Sequence, residues 1–154
     1  MTSIFRVEIS GEPSEILCTQ EEAMEWFECL REEYDDSLDK LENCKLNLAF
    51  LSKSEIQEIN KTFAGKDKPT NVLSFPSSND IREENFLGDI AICSELIREE
   101  ATSQGKKINH HLIHIFVHGV LHLLGFDHDQ SSNAEKMESL EVRILSKIGV
   151  ADPY

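Results

Sequence analysis

His118-Gly-Val-Leu-His122-Leu-Leu-Gly125-Phe-Asp127-His128 is the stretch around which the rest of the chain is organised. Two histidines four residues apart stand on one face of a helix, about 6 Å apart along its axis, so two imidazoles can converge on one ion. Gly125 falls where a helix would end, because glycine enters the left-handed conformation without steric cost. That reversal can carry His128 back toward the first two. Three neutral imidazoles with an open fourth position form the arrangement of a catalytic zinc site. The expected ligands are therefore His118, His122 and His128, with zinc as the default ion and another divalent metal possible on the same donors.

The spacing matches H-E-x-x-H-x-x-G-x-x-H at all three histidines and the glycine, but Gly119 stands where a metalloprotease carries its glutamate base. A peptidase would lack the group that takes a proton from the attacking water. Three uncharged ligands leave the ion's charge uncompensated, which brings the pKa of a bound water down to about 7 and partly offsets that loss. Asp127 neighbours a ligand and either orients a histidine as a carboxylate partner or is a turn residue after Gly125. His114, one turn before His118, either lines the cleft beside substrate or is a satisfied histidine of the fold. His110 and His111 point in different directions from adjacent positions and have no assigned role.

Composition narrows the setting. The 154 residues suit one domain, 1–154, with a single core. No apolar run approaches the length needed to span a bilayer, and the first residues lack the basic-then-apolar order of a signal peptide. Cys18, Cys29, Cys44 and Cys93 form no Cys-x-x-Cys pair, so they read as reduced, mostly buried thiols of a cytoplasmic protein. A net charge of −14 is unexpected for a nucleic-acid enzyme, yet it is unevenly spread. Residues 1–45 carry thirteen acids and four bases, whereas Lys45–Phe75 carries five lysines and three acids. Within that segment Lys61, Lys66 and Lys68 are candidates for phosphate contact, or else an ordinary solvated face.

Along the chain, Ile4–Ile9 reads as a first strand. Thr19-x-x-Glu22 is a capping box opening a helix to about Tyr34, with Ala23, Trp26, Phe27 and Leu30 as its core stripe. Lys45–Leu51 alternates as a strand. Ser52-x-x-Glu55 caps a helix that buries Ile56, Ile59 and Phe63 and stops at Gly65. Thr70–Phe75 is a strand halted by Pro76. Phe86–Cys93 is another, in which Gly88 suggests close backbone approach, as by substrate, and Asp89 either helps position the site or is a polar strand residue. Ser94 caps a helix ending at Gly105, and the histidine helix runs from about Lys107 to Leu124 with nearly all-round apolar burial from Ile108 to Leu121. Ser132-x-x-Glu135 opens a last helix with Met137, Leu140, Ile144 and Ile148 on one face. About four strands and five helices in mixed order make an α+β fold with a small mixed sheet.

The histidine stretch resembles the signature of the YbeY family, metal-dependent endoribonucleases of ribosomal RNA maturation. Gly65-Lys-Asp-Lys-Pro-Thr-Asn-Val-Leu-Ser-Phe-Pro76 is similar to that family's central motif, and Leu87-Gly-Asp-Ile-Ala-Ile-Cys93 to its following strand. The resemblance covers roughly Leu46 to the last residue. It implies a single zincin-like domain with the histidine helix central, an RNA substrate, catalysis at the ion held by His118, His122 and His128 with Asp127 beside it, and a possible association with the ribosome or ribosomal proteins. It also places Ala64 where the family carries a functionally important arginine, and alanine can neither clamp a phosphate nor stabilise developing charge. Two other readings stay open at this level: a zinc hydrolase of a non-RNA substrate, and a ribosome-associated binding factor whose metal is structural.

Overall fold

The computed structural model describes residues 5–34, 44–77, 86–126 and 131–154. Its elements follow the chain as β1 (Arg6–Ser10), α1 (Gln20–Glu33), β2 (Lys45–Leu51), α2 (Lys53–Ala64), β3 (Val72–Pro76), β4 (Phe86–Cys93), α3 (Ser94–Gln104), α4 (Ile108–Leu123) and α5 (Ser131–Ile148). The sheet order is β1-β2-β4-β3. β1, β2 and β4 run parallel and β3 closes the edge antiparallel to β4. This is the α+β arrangement with a mixed sheet that the sequence implies.

Strand alternation divides the molecule into two layers. Leu46, Leu48 and Phe50 of β2 and Ile90 and Ile92 of β4 turn inward, into one core with Trp26, Phe27 and Leu30 of α1, the apolar face of α4, and Met137, Leu140, Ile144 and Leu145 of α5. The opposite face meets α2, where Ile56 packs on Ala91 and Cys93. α4 is central: Leu112, Phe116, Val117, Val120 and Leu121 are fully buried. Its position on the sheet depends on Gly119. A Cβ there would lie 3.3 Å from Ile90 Cγ2 and 3.4 Å from both Ser74 Oγ and Val72 Cγ2, so a larger residue would force the helix away from the strands.

Both capping boxes form as expected, Thr19 with Glu22 and Ser52 with Glu55, each satisfying two otherwise orphaned backbone donors. Several local expectations need correcting. Phe63 is 72% exposed and meets Phe75 in an edge-to-face ring contact, so it is not a core residue of α2. Ile108, the first residue of α4, is 43% exposed because the helix enters the core one turn later. Ser94 is no cap: it is the first helical residue, and its hydroxyl donates to the Glu15 carbonyl. Pro76 lies within β3, tolerated at the edge of the sheet. Gly88 has φ +142, and the group closest to it is the Phe75 carbonyl of the neighbouring strand, so strand pairing accounts for that glycine without a substrate. Ile4 and the Ser132 cap lie outside the described backbone or side chains. All four cysteines are free, and burial pushes the thiols of Cys18 and Cys44 up to about 12 and about 11. They are neutral core side chains.

Candidate metal centre

α4 carries His114, His118 and His122 at successive turns, and each is held differently. His118 Nδ1 lies 2.7 Å from Glu141 Oε1. A carboxylate only accepts, so the proton sits on Nδ1 and the lone pair on Nε2. That Nε2 is 3.0 Å from Nε2 of His122. His114 turns the other way, with Nε2 3.2 Å from Glu141 Oε2 and its ring edge-on to Tyr154. The Tyr154 hydroxyl donates to the same Glu141 oxygen.

Glu141 is therefore the hub. It projects from α5 into the interface with α4, is fully buried, and receives three donors. Burial alone would raise its carboxyl; the hydrogen bonds from His114, His118 and Tyr154 outweigh that and hold it at about 2. Burial and the Glu141 carboxylate together push the Tyr154 phenol well above the usual tyrosine range. Sequence reasoning overlooked Glu141. Its signal was an acid in the apolar stripe of the last helix, four residues after Met137 and three before Ile144, where a solvated helix face would not place one. The orienting part that the sequence offered to Asp127 is performed by Glu141 for His118. Asp127 and His128 themselves lie outside the described residues.

His118 and His122 both line a cleft of about 610 Å3 between β3 and the end of α4, together with Thr70–Ser74, Pro76, Gly125 and Phe126. Gly125, at φ +100, turns the chain immediately after the helix. The donor set fits a divalent ion. Two nitrogens of a tetrahedral zinc, each about 2.05 Å from the metal, lie about 3.3 Å apart, a few tenths more than the spacing here. Donor atoms of His114, His118 and Glu141 also fall within 4.8 Å of one another, a group of metal-binding side chains on the far side of His118. There the Glu141 oxygens accept three hydrogen bonds, from His114, His118 and Tyr154, which tie the carboxylate to the histidines.

The remaining candidates separate. His114 is not among the residues lining the cleft; it belongs to the Glu141 network. His111 is buried and bonded to Glu100, which also accepts from Asn71, tying α4 to α3 and to the residue before β3. Asp89 accepts from Asn47 on the opposite face of the sheet, away from the histidines. Lys61, Lys66 and Lys68 are exposed at the end of α2 and in the loop after it, and Ala64, the last residue of α2, is exposed beside them. Gly119 faces the strands, so the vacant glutamate position is filled by the sheet itself.

Comparison with known proteins identifies the family. The profile of the family described as Endoribonuclease YbeY matches residues 8–149. A protein named Endoribonuclease YbeY from Francisella tularensis subsp. holarctica (strain FTNF002-00 / FTA) is 46% identical over 119 residues, covering 74% of each chain. Its namesake from Francisella tularensis subsp. novicida (strain U112) is 45% identical over the same lengths. The solution structure of a Thermotoga maritima protein matches 97% of this chain and 98% of its own, with a TM-score of 0.55 and 27% identity.

Proposed function

The chain belongs to the Endoribonuclease YbeY family, and from that premise we propose that it hydrolyses RNA phosphodiester bonds in ribosomal RNA maturation and quality control, using zinc held by His118, His122 and His128. The observation that carries the ligand assignment is the 3.0 Å approach of the His118 and His122 Nε2 atoms at the cleft. When bound, zinc supplies Lewis-acid stabilisation of phosphoryl charge and makes water nucleophilic at neutral pH. The chain's own residues do the rest. Glu141 holds the His118 ring in one tautomer and orientation, and Tyr154 and His114 hold Glu141. Gly119 packs against the strands and leaves no glutamate to serve peptide hydrolysis, which favours the RNA reading over a peptidase. Lys61, Lys66 and Lys68 offer point charges to the RNA backbone. We further place the protein in the cytoplasm, consistent with four free cysteines, as a single domain working beside the ribosome.

The test is cleavage of purified ribosomal RNA by the intact protein, with chelator, after zinc is restored, and with His118→Ala. Cleavage should disappear with chelator, return with zinc and be absent from the variant. Equal cleavage by His118→Ala would refute the assignment and point to a contaminating nuclease. Tight stoichiometric zinc without any cleavage would instead support a binding factor with a structural metal.

A further inference from the structure

Phe63 is the most exposed large apolar side chain among the described residues, at 72%. It stands in the last turn of α2 with its ring centroid 5.5 Å from that of Phe75, at an interplanar angle of 66°. Phe75 lies on the outer face of β3, paired in register with Asp89, and lines with Ile59 an open groove of about 470 Å3. Residues of β3 line both that groove and the metal cleft. Ser74, the next residue back, faces the cleft and donates to the Gly119 carbonyl, on the helix turn between His118 and His122.

Exposed lysines flank Phe63 in the chain. Lys61 shares its helix turn, and Lys66 and Lys68 follow in the loop. None of the three has an ion pair among the described residues, whereas Lys53 is paired with Glu99 and Lys147 with Glu32. The loop that carries them is fixed from α2: buried Asn60 donates to the Lys68 carbonyl at 2.9 Å, and Gln57 donates to the Asp67 carboxylate at 3.0 Å. The charges are thus displayed from an anchored loop.

We propose that Phe63, backed by Phe75, stacks on a nucleobase of single-stranded RNA whose phosphates are met by Lys61, Lys66 and Lys68. The proposal rests on the endoribonuclease reading and specifies where its substrate lies. One flat apolar face beside several free cations matches the chemistry of one nucleotide, a π-face joined to an anion. The groove beyond Phe75 is largely apolar, lined by Ile9, Leu51, Ile59 and Ile90; the exposed lysines that precede and follow Phe63 in the chain favour an anionic occupant over an apolar protein segment. The carboxylates of Glu8 and Asp89 farther along the groove repel phosphate and keep the backbone on the lysine side. A strand with a phosphate at the histidines then crosses the edge of β3 and presents a neighbouring base to Phe63.

The experiment uses the full, zinc-loaded chain and a cleavage-resistant 2′-O-methyl RNA dodecamer, with binding read by anisotropy. Phe63→Ala should weaken binding roughly fivefold or more, the scale of one lost base stack. Phe63→Trp should bind as the wild type does, and its emission should be quenched by RNA, the one other tryptophan, Trp26, being buried. On an abasic oligonucleotide of the same length, wild type and Phe63→Ala should bind equally. RNA bound as tightly by Phe63→Ala as by wild type, or bound without quenching by Phe63→Trp, overturns the proposal while leaving the endoribonuclease reading intact. So does a shift from dimer to monomer in Phe63→Ala, which would make the ring a contact between copies. Failure of the wild type to bind any RNA overturns both.

Discussion

On the cleft side of β3, Glu141 is fully buried and each of its oxygens is committed, two histidines and a tyrosine donating to it. On the groove side, Phe63 stands 72% exposed, and the lysines that precede and follow it in the chain have no ion-pair partner among the described residues. The difference separates two tasks. Holding an ion requires donor atoms fixed to a few tenths of an ångström, so the fold spends burial and hydrogen bonds there. Meeting an RNA strand requires charge and a flat surface that accept many sequences, and solvent-exposed groups suffice for that. Substitutions on the cleft side should therefore act through packing and metal affinity, and those on the groove side through RNA affinity and its salt dependence.

The largest effect is expected at Gly119. Gly119→Glu would drive a carboxylate into Ile90, Ser74 and Val72, adding overpacking to an unpaired buried charge, for a loss of about 3 kcal/mol or more. Gly119→Ala should stay within about 1 kcal/mol of the parent, since better helix propensity offsets the tight contacts. Urea unfolding of both variants measures this; a stable Gly119→Glu protein would mean that α4 does not lie as close to the strands as described.

Glu141→Gln comes next. It keeps the shape but no longer accepts from both histidines and the tyrosine, and zinc affinity should fall about 10- to 100-fold in competition with a chelating dye. Because the folded carboxyl is held at about 2, below its ordinary value of 4.5, it stabilises the fold above that ordinary value and ceases to as pH falls toward 2. The stability gap between metal-free wild type and Glu141→Gln should accordingly close over that acid range. Unchanged zinc affinity would remove Glu141 from the centre. Smaller again, replacing Lys61, Lys66 and Lys68 together by alanine should lower RNA affinity roughly tenfold and flatten its salt slope by about 0.7 per lost phosphate contact on single strands, with zinc content unaltered. A slope identical to wild type would place the RNA path elsewhere. The smallest effect is expected from Tyr154→Phe, which removes one of three donors to Glu141: zinc affinity should drop a few-fold while the unfolding midpoint of the metal-free protein barely moves. The reverse pattern would give Tyr154 a purely structural part.

Where pattern and local chemistry agreed, the sequence was a sufficient guide. β2 and β4 occupy the spans their alternation and flanking residues mark, and Thr19, Ser52, Gly65 and Gly105 bound their helices as their chemistry requires. The His118–His122 convergence was equally legible, because helical spacing alone sets it. Glu141 was not, since nothing local links it to α4; only the packing of α5 brings it there across 23 residues of chain. Phe63 and Ile108 were misplaced for the opposite reason. Periodicity says which face of a helix is apolar but not how far along the helix its packing partners reach, and both residues stand in a terminal turn of their helix.

The strand order carries a consequence for how the chain is made. β4 lies between β2 and β3, yet it follows both in sequence. On a ribosome releasing the protein from its N-terminus, β2 and β3 emerge without a shared partner, and neither can complete its hydrogen bonding until Phe86–Cys93 arrives. Pairing of β4 with both at once is then a single late closing event, with α4 and its histidines translated only afterwards. A nascent chain halted before Phe86 leaves β2 and β3 with backbone groups that await β4, and the histidines of α4 join a sheet whose strands have all been made.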